Sequence, residues 1–413
     1  MSRWFFRPYV LTAVVVFILT LVGVAVIYPL ATGNWSFRII SHISFTPDGS
    51  KLVVSQGERN WDHDYAQTSE LIFLDTVSWK PTTRVGKGIL LTPPQTVGHL
   101  RKSKGFITIT REPIPLTPGA PFYFPFPAFS ANAYAVPNSA GQPHVLIHWD
   151  DSGNIKKRVR LTSKEIPGME WYHEVSDLAI DSEDNIAIAG TTFVSVICWG
   201  LKNLVAAGSS WALNLRSEKP AWVLDKGYPQ AKASPDGKTC LCCRTSCPLP
   251  YKTAGKPDLT AELKLFEFSS GKLVAELRSD KFEPLFANWW GDKDKVLLLT
   301  NSRKLVLLTK QLNYEKELVQ SKIGERPIQL TTDAKGNVVV IADPKRIEIY
   351  SGKTWELQHC WEVGKSEQLT AAACSPDGKH VVWAVTRHGS FRITSSFLYI
   401  YDTEAKKILT VIR

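Results

Sequence analysis

Apolar and other positions alternate along this chain in short runs, and the runs come in pairs joined by tight polar turns. The clearest pairs are Ile43 to Val54 (ISFTPDGSKLVV), Lys232 to Cys243 (KASPDGKTCLCC) and Ala373 to Trp383 (ACSPDGKHVVW). Alternation of this period predicts half-buried β-strands, and Pro-Asp-Gly supplies the turn between them. Proline presets φ, aspartate bonds back to the backbone and glycine accepts a positive φ.

The same turn chemistry recurs in weaker form at Ser130-Ala131-Asn132, Asp181 to Asn185, Gly291 to Asp294 and Asp333 to Asn337. With the three clear copies this makes seven. A second pattern, an alternating strand closed by a polar turn, gives the same number independently. Its copies are LIFLDT, VLIHWDDSG, WALNLRSEK, LKLFEFSSGK, LVLLTK, RIEIYSGK and LYIYDTEAKK, ending at Thr76, Gly153, Lys219, Lys272, Lys310, Lys353 and Lys407. The two series interleave, each third strand being followed by a fourth such as Lys157 to Leu161 or Ile408 to Ile412. Four strands per unit, at a period of about 40–55 residues, predict a β-propeller. The fold expected is all-β, a seven-bladed β-propeller over residues 34–413. An eighth, degenerate blade would have to lie in the wide interval between Gly86 and Pro125. That interval is proline-rich, which favours a loop, so an insertion is expected at about 84–127.

The turns and the strand ends at Trp149-Asp150 and Tyr401-Asp402 resemble those of WD-repeat-like bacterial β-propellers, over residues 38–413. The regular Gly-His pair of the eukaryotic WD repeat is absent. The resemblance implies the fold and no particular partner, since propellers host many unrelated functions.

The first residues follow a different pattern. Val10 to Leu30 (VLTAVVVFILTLVGVAVIYPL) carries no charge. As a helix it would span the roughly 30 Å hydrocarbon core of a bilayer. Arg3 and Arg7 precede it, with Trp4, Phe5, Phe6 and Tyr9 as interfacial aromatics, and the first positive charge after it is Arg38. The positive-inside rule then places residues 1–9 in the cytoplasm, 10–30 as one transmembrane helix, and the propeller on the far side. A cleaved signal peptide would have a shorter apolar core than this one.

Calling the strands of a blade a, b, c and d, the a–b and c–d connections share one face of the disc. The b–c and d–a connections share the other. The short turns fall on the first face. The long segments fall on the second: Gly57–Glu70, Thr191–Ser210, Arg244–Glu262 and Thr386–Ser396 as b–c loops, with Arg84–Pro127 and Thr162–Val175 as d–a loops. Long loops are cheap in entropy and commonly carry function. A protein partner is therefore expected on the b–c/d–a face, making the chain a binding or scaffold module.

The candidate binding residues lie there. Trp61, Asp62, His63 and Asp64 form the densest cluster, and Trp171, His173 and Glu174 form a second. Aromatics with carboxylates and imidazoles suit sugars or peptides. Asp62, His63, His173 and Glu174 would serve the alternative, an extracytoplasmic carbohydrate-binding sensor or hydrolase. Phe122 to Pro127 (FYFPFP) suits either a membrane interface or a cover over the disc. Cys240, Cys242 and Cys243 lie on one predicted strand, with Cys240 and Cys242 on one side of it and Cys243 on the other. A Cys243–Cys247 disulfide is the pairing an oxidising compartment would allow. No second cysteine or histidine pair completes a zinc site.

Composition adds little. The net charge is +10 over 413 residues, and no Lys/Arg block stands out. Nucleic-acid binding is not expected, because no basic stripe interleaves with aromatics. No nucleophile elbow, zinc-protease, phosphate-loop or dinucleotide motif occurs, and no cofactor or metal is expected.

Overall fold

Strands with polar turns between them leave backbone hydrogen bonds to be satisfied laterally, and the chain does so in consecutive antiparallel sheets. A computed structural model describes residues 36–60, 63–90, 96–111, 144–161, 173–198, 201–207, 210–213, 220–224, 228, 230–244, 261–277, 282–324, 327–388 and 394–412. Among these residues every regular element longer than a turn is a strand, and no helix is long and apolar enough to cross a membrane. Val10 to Leu30 lies outside the described residues.

The first sheet is β1 (Ser36–Phe45), β2 (Lys51–Asn60), β3 (His63–Asp75) and β4 (Pro81–Leu90), in that order. The second is β5 (Val97–His99), β6 (Phe106–Arg111), β7 (His144–Trp149) and β8 (Ile155–Leu161). The third has five strands: β9 (His173–Ile180), β10 (Ile186–Cys198), β11 (Leu201–Ala207), β12 (Ser210–Leu213) and β13 (Pro220–Leu224). In it β10 pairs with β9, β11 and β12, and β12 pairs with β13.

The remaining sheets again have four strands in chain order. They are β14 (Gln230–Ala233) to β17 (Leu273–Glu276), through β15 (Thr239–Arg244) and β16 (Glu262–Glu267); and β18 (Pro284–Trp289) to β21 (Tyr314–Gln320), through β19 (Lys295–Thr300) and β20 (Lys304–Thr309). Then come β22 (Gln329–Thr332), β23 (Val338–Ala342), β24 (Arg346–Ser351) and β25 (Leu357–Glu362), and finally β26 (Glu367–Cys374), β27 (His380–His388), β28 (Thr394–Asp402) and β29 (Lys407–Ile412).

The sheets stack face to face, which explains the apolar runs. Strands b and c are covered on both sides, so TCLCCR in β15 and VVVIA in β23 are buried throughout. Separate apolar clusters fill the successive seams: Val53, Phe73, Phe106 and Trp149 between the first two sheets, for example. Ile43, Leu52, Val382 and Ile400 join the last sheet back to the first. The a strands lie inside, β9 against β5 and β14, β18 against β14 and β22, β26 against β22 and β1. The d strands are outermost and exposed, as in β21. This is an all-β propeller.

Two expectations differ from the structure. The second sheet does not begin near Ser130-Ala131-Asn132, which lies outside the described residues. Its a and b strands are β5 and β6, so the interval of about 84–127 holds the end of β4 and half a blade. The turn there, Arg101-Lys102-Ser103-Lys104-Gly105, has no Pro-Asp-Gly; Lys104 (φ 55) and Gly105 (φ 95) carry the positive φ. The long connection, residues 112–143, is accordingly b–c rather than d–a. Second, Gly57–Glu70, Thr191–Ser210 and Thr386–Ser396 are largely strand. They are hairpins prolonged beyond the blade, whose pairings continue to Asn60↔His63, Cys198↔Leu201 and His388↔Thr394.

Candidate functional site: two unlike faces of the disc

The a–b turns close on themselves. Ser234 Oγ donates to Asp236 Oδ1 (2.5 Å), and the Thr239 N–H donates to Ser234 Oγ (2.9 Å). Ser375 and Asp377 repeat the device, as do Thr46 and Asp48. Burial pushes the Asp236 carboxyl up, but the Ser234 hydroxyl, the Lys238 N–H and the Lys310 ammonium outweigh it and hold the group at about 2. Threonines after the c strands stitch the two kinds of turn together, Thr76 Oγ1 to the Gly49 carbonyl (2.9 Å) and Thr403 Oγ1 to the Gly378 carbonyl (2.6 Å).

Neighbouring turns are also joined. The Asp292 N–H donates to the Ala334 carbonyl (2.6 Å), and the Ala334 N–H donates to the Pro376 carbonyl (3.0 Å). Lys310 Nζ bridges Asp236 (3.1 Å) and Asp294 (3.0 Å). Asp184, at φ 63 and 7% exposed, receives the N–H groups of Arg101 (2.8 Å), Lys102 (3.0 Å) and Ser103 (2.6 Å) from the preceding sheet. Burial alone would raise its pKa; these donors win and lower it. Most of the polar groups these turns expose are bonded within the face itself.

The inner strands carry a second set of links. Asp177 at the start of the third sheet's core accepts from Lys232 Nζ (2.7 Å) and from the Ala231 N–H (3.2 Å). Gln230 donates to the Leu285 carbonyl and accepts from the Ala287 N–H, both at 3.2 Å. Asn288 Nδ2 donates to the Leu330 carbonyl (2.9 Å). In each case a polar side chain of one a strand holds the backbone of the next. Ser44 Oγ and His99 Nε2 make the corresponding contact between the first two sheets (3.2 Å), and burial lowers the His99 pKa to about 4. Sequence reading missed all of these. The available signal was a polar residue recurring in the first strand of each repeat.

The opposite face carries the prolonged hairpins. Several of its described charges are paired: Glu262 with Arg244 (3.0 Å), Lys264 (3.0 Å) and the Tyr228 hydroxyl (2.8 Å); Glu70 with Arg84 (2.8 Å) and Gln56 (2.7 Å). Glu348, 1% exposed, accepts from Ser321 Oγ (2.7 Å), Tyr350 OH (2.6 Å) and Arg346 Nε (2.7 Å). Burial first, and then the Glu348 carboxylate, push the Tyr350 phenol up. Among the described residues no group of three His, Cys, Asp or Glu side chains is placed to hold a metal. These groups hold one another in place.

His63 opens β3 opposite Asn60, at the tip of the first hairpin, with Asp64 beside it. His173 and Glu174 open β9 opposite Thr192 and Thr191. The backbone thus brings His63 and Asp64, and His173 and Glu174, to the b–c/d–a side, on the first and third sheets, with the second between them. Trp61, Asp62 and Trp171 lie outside the described residues.

The cysteine alternation is as expected. Cys240 and Cys242 enter the cluster shared with the third sheet, their sulfurs 3.8 Å apart, while Cys243 enters the cluster shared with β18 and β19. Burial pushes the Cys243 thiol up to about 12, so it is protonated at neutral pH. Cys247 lies outside the described residues.

No family model matches the chain, and no curated protein does. A solved structure, the Kuenenia stuttgartiensis Hydrazine Synthase, is similar over 91% of this chain and 95% of that one, at 13% identity and a TM-score of 0.49.

Proposed function

We propose that this chain is a membrane-anchored, seven-bladed propeller that serves as a protein-binding or scaffold module through its b–c/d–a face. The third sheet completes the ring as a blade with an added hairpin. The anchor is Val10 to Leu30, with residues 1–9 cytoplasmic and the propeller extracytoplasmic. The observation that supports the binding face most strongly is the asymmetry of the disc. One face is made of short turns that hydrogen-bond to one another, and the other bears the prolonged hairpins found among the described residues. Long connections on one face of a rigid scaffold are where propellers and other repeat folds place recognition.

The test is a crosslinked pull-down with the full chain in membranes, beside a variant with Trp61, His63, Trp171 and His173 changed to Ala. Specific proteins captured by the first and lost by the second are the expected result. Capture unchanged by the substitutions would remove the site. A glycan or hydrolysable substrate bound in place of protein would favour the enzyme or sensor reading, for which His63 and His173 opening strands on one face is the motivating placement.

A further inference from the structure

The hairpin formed by β10 and β11 reaches past its own blade. β12 covers β10 only at Ile186–Ile188, and β9 leaves it at Thr192. Beyond that point β11 is its only strand partner among the described residues, in unbroken register from Phe193↔Ala206 to Cys198↔Leu201. Six residue pairs at about 3.3 Å rise make an arm of about 20 Å. A two-stranded arm in water is marginal unless something covers it. Its strands read FVSVIC (193–198) and LKNLVA (201–206), and Lys202 is their one charge.

The arm leaves the disc on the b–c side, and the chain enters the disc on that same side. Ser36, the first residue of β1, pairs with Asn60, which pairs with His63 at the tip of the β2–β3 hairpin. Leu30, the last residue of the uncharged segment, is separated from Ser36 by residues 31–35 alone. Fully extended, that link spans at most about 20 Å. Tether and arm therefore have the same reach toward the same side. Strands of this apolar composition within that distance of a bilayer gain by burying in its interface.

We propose that the β10–β11 arm is a second membrane contact, inserting Phe193–Cys198 and Leu201–Ala206 into the interface of the bilayer that residues 10–30 cross. The disc is then held by two points, at its first and third sheets. This rests on the anchor in the proposed function.

The experiment uses the full chain in vesicles of phosphatidylcholine and phosphatidylglycerol, after replacing reactive native cysteines by Ser. A nitroxide is attached at Lys202→Cys on the arm or, as control, at Lys335→Cys, which is exposed on the turn face. Flotation of the vesicles reads the anchor. Collisions with oxygen, which concentrates in lipid, and with a water-soluble nickel chelate read the surroundings of the label. The expected result is flotation, with position 202 several-fold richer in oxygen collisions and poorer in nickel collisions than position 335. Flotation with nickel collisions alike at both positions overturns the arm and leaves the anchor standing. Low collision rates with both reagents at 202 mean cover by protein, a second copy included, and overturn it as well. Failure to float overturns anchor and arm together.

Discussion

The two faces of the disc are built from the same strands and differ in what joins them. On the turn face a connection of about five residues is enough, and serine, threonine and aspartate side chains saturate the backbone they expose. Asp184 takes three N–H groups from the neighbouring sheet, and Lys310 bridges two carboxylates at once. On the other face the strands overrun the blade, and the additions at Asn60–His63, Cys198–Leu201 and His388–Thr394 differ from one another in sequence. One face spends its polar groups on the ring; the other presents surface. Polar closure and prolonged strands are thus separated across the thickness of a single sheet.

Substitutions should divide along the same line. The largest effect is expected for Asp184→Ala, which leaves the N–H groups of Arg101, Lys102 and Ser103 without their acceptor. Loss of a buried charged acceptor should lower stability by about 3 kcal/mol in urea unfolding. A change within error would mean that the turns do not hold the ring.

Acidification is next. His99 titrates at about 4 in the fold against an ordinary 6.5, so below pH 6.5 the unfolded chain binds a proton that the folded chain refuses. Stability should fall as pH drops from 6.5 to 4, by up to about 3 kcal/mol at 1.36 kcal/mol per unit. The loss should be smaller in His99→Gln when both proteins are unfolded across that range. An identical pH slope in the two would assign the acid sensitivity elsewhere.

Gly237→Ala should cost about 1–2 kcal/mol. The position has φ +69, and a Cβ there would meet the Ser182 nitrogen at 2.6 Å. A shift in thermal midpoint reports it, and a more stable variant would refute the close approach of the third and fourth sheets.

The open face should respond least. Replacing residues 194–205 by Asn-Gly, a two-residue hairpin turn, should change stability by less than about 0.5 kcal/mol, because among the described residues only the arm's own strand pairs are lost. The same should hold for Trp61, His63, Trp171 and His173 changed to Ala, with binding reduced. A collapse in stability from either would show that the elaborated face belongs to the core.

Much of this was legible along the chain, and its limits were physical. Serine- or threonine-Pro-Asp-Gly announces a turn because each residue solves a local backbone problem, so Thr46–Gly49, Ser234–Gly237 and Ser375–Gly378 fall where expected. The turn at Leu100–Gly105 was not legible. Its left-handed positions are taken by Lys104 and Gly105, and the carboxylate that orders it, Asp184, comes from another sheet. The prolonged hairpins read as loops because Gly57, Asn60 and the Thr191-Thr192 pair break the apolar alternation. Cross-strand pairing, which alternation does not record, keeps them extended.

What the sequence determined by itself is therefore local and periodic: strand alternation, turn positions, the two sides of the Cys240–Cys243 strand and an uncharged segment long enough for a bilayer. These follow from the geometry of a few consecutive residues. The tertiary structure alone decided which a strand each polar side chain reaches, as Asp177 reaches Ala231 and Lys232. It also decided that the last sheet packs on the first, and that β1 begins beside the tip of the first hairpin. Those depend on pairings between residues far apart in the chain, set by the stacking of whole sheets, which no window of sequence contains.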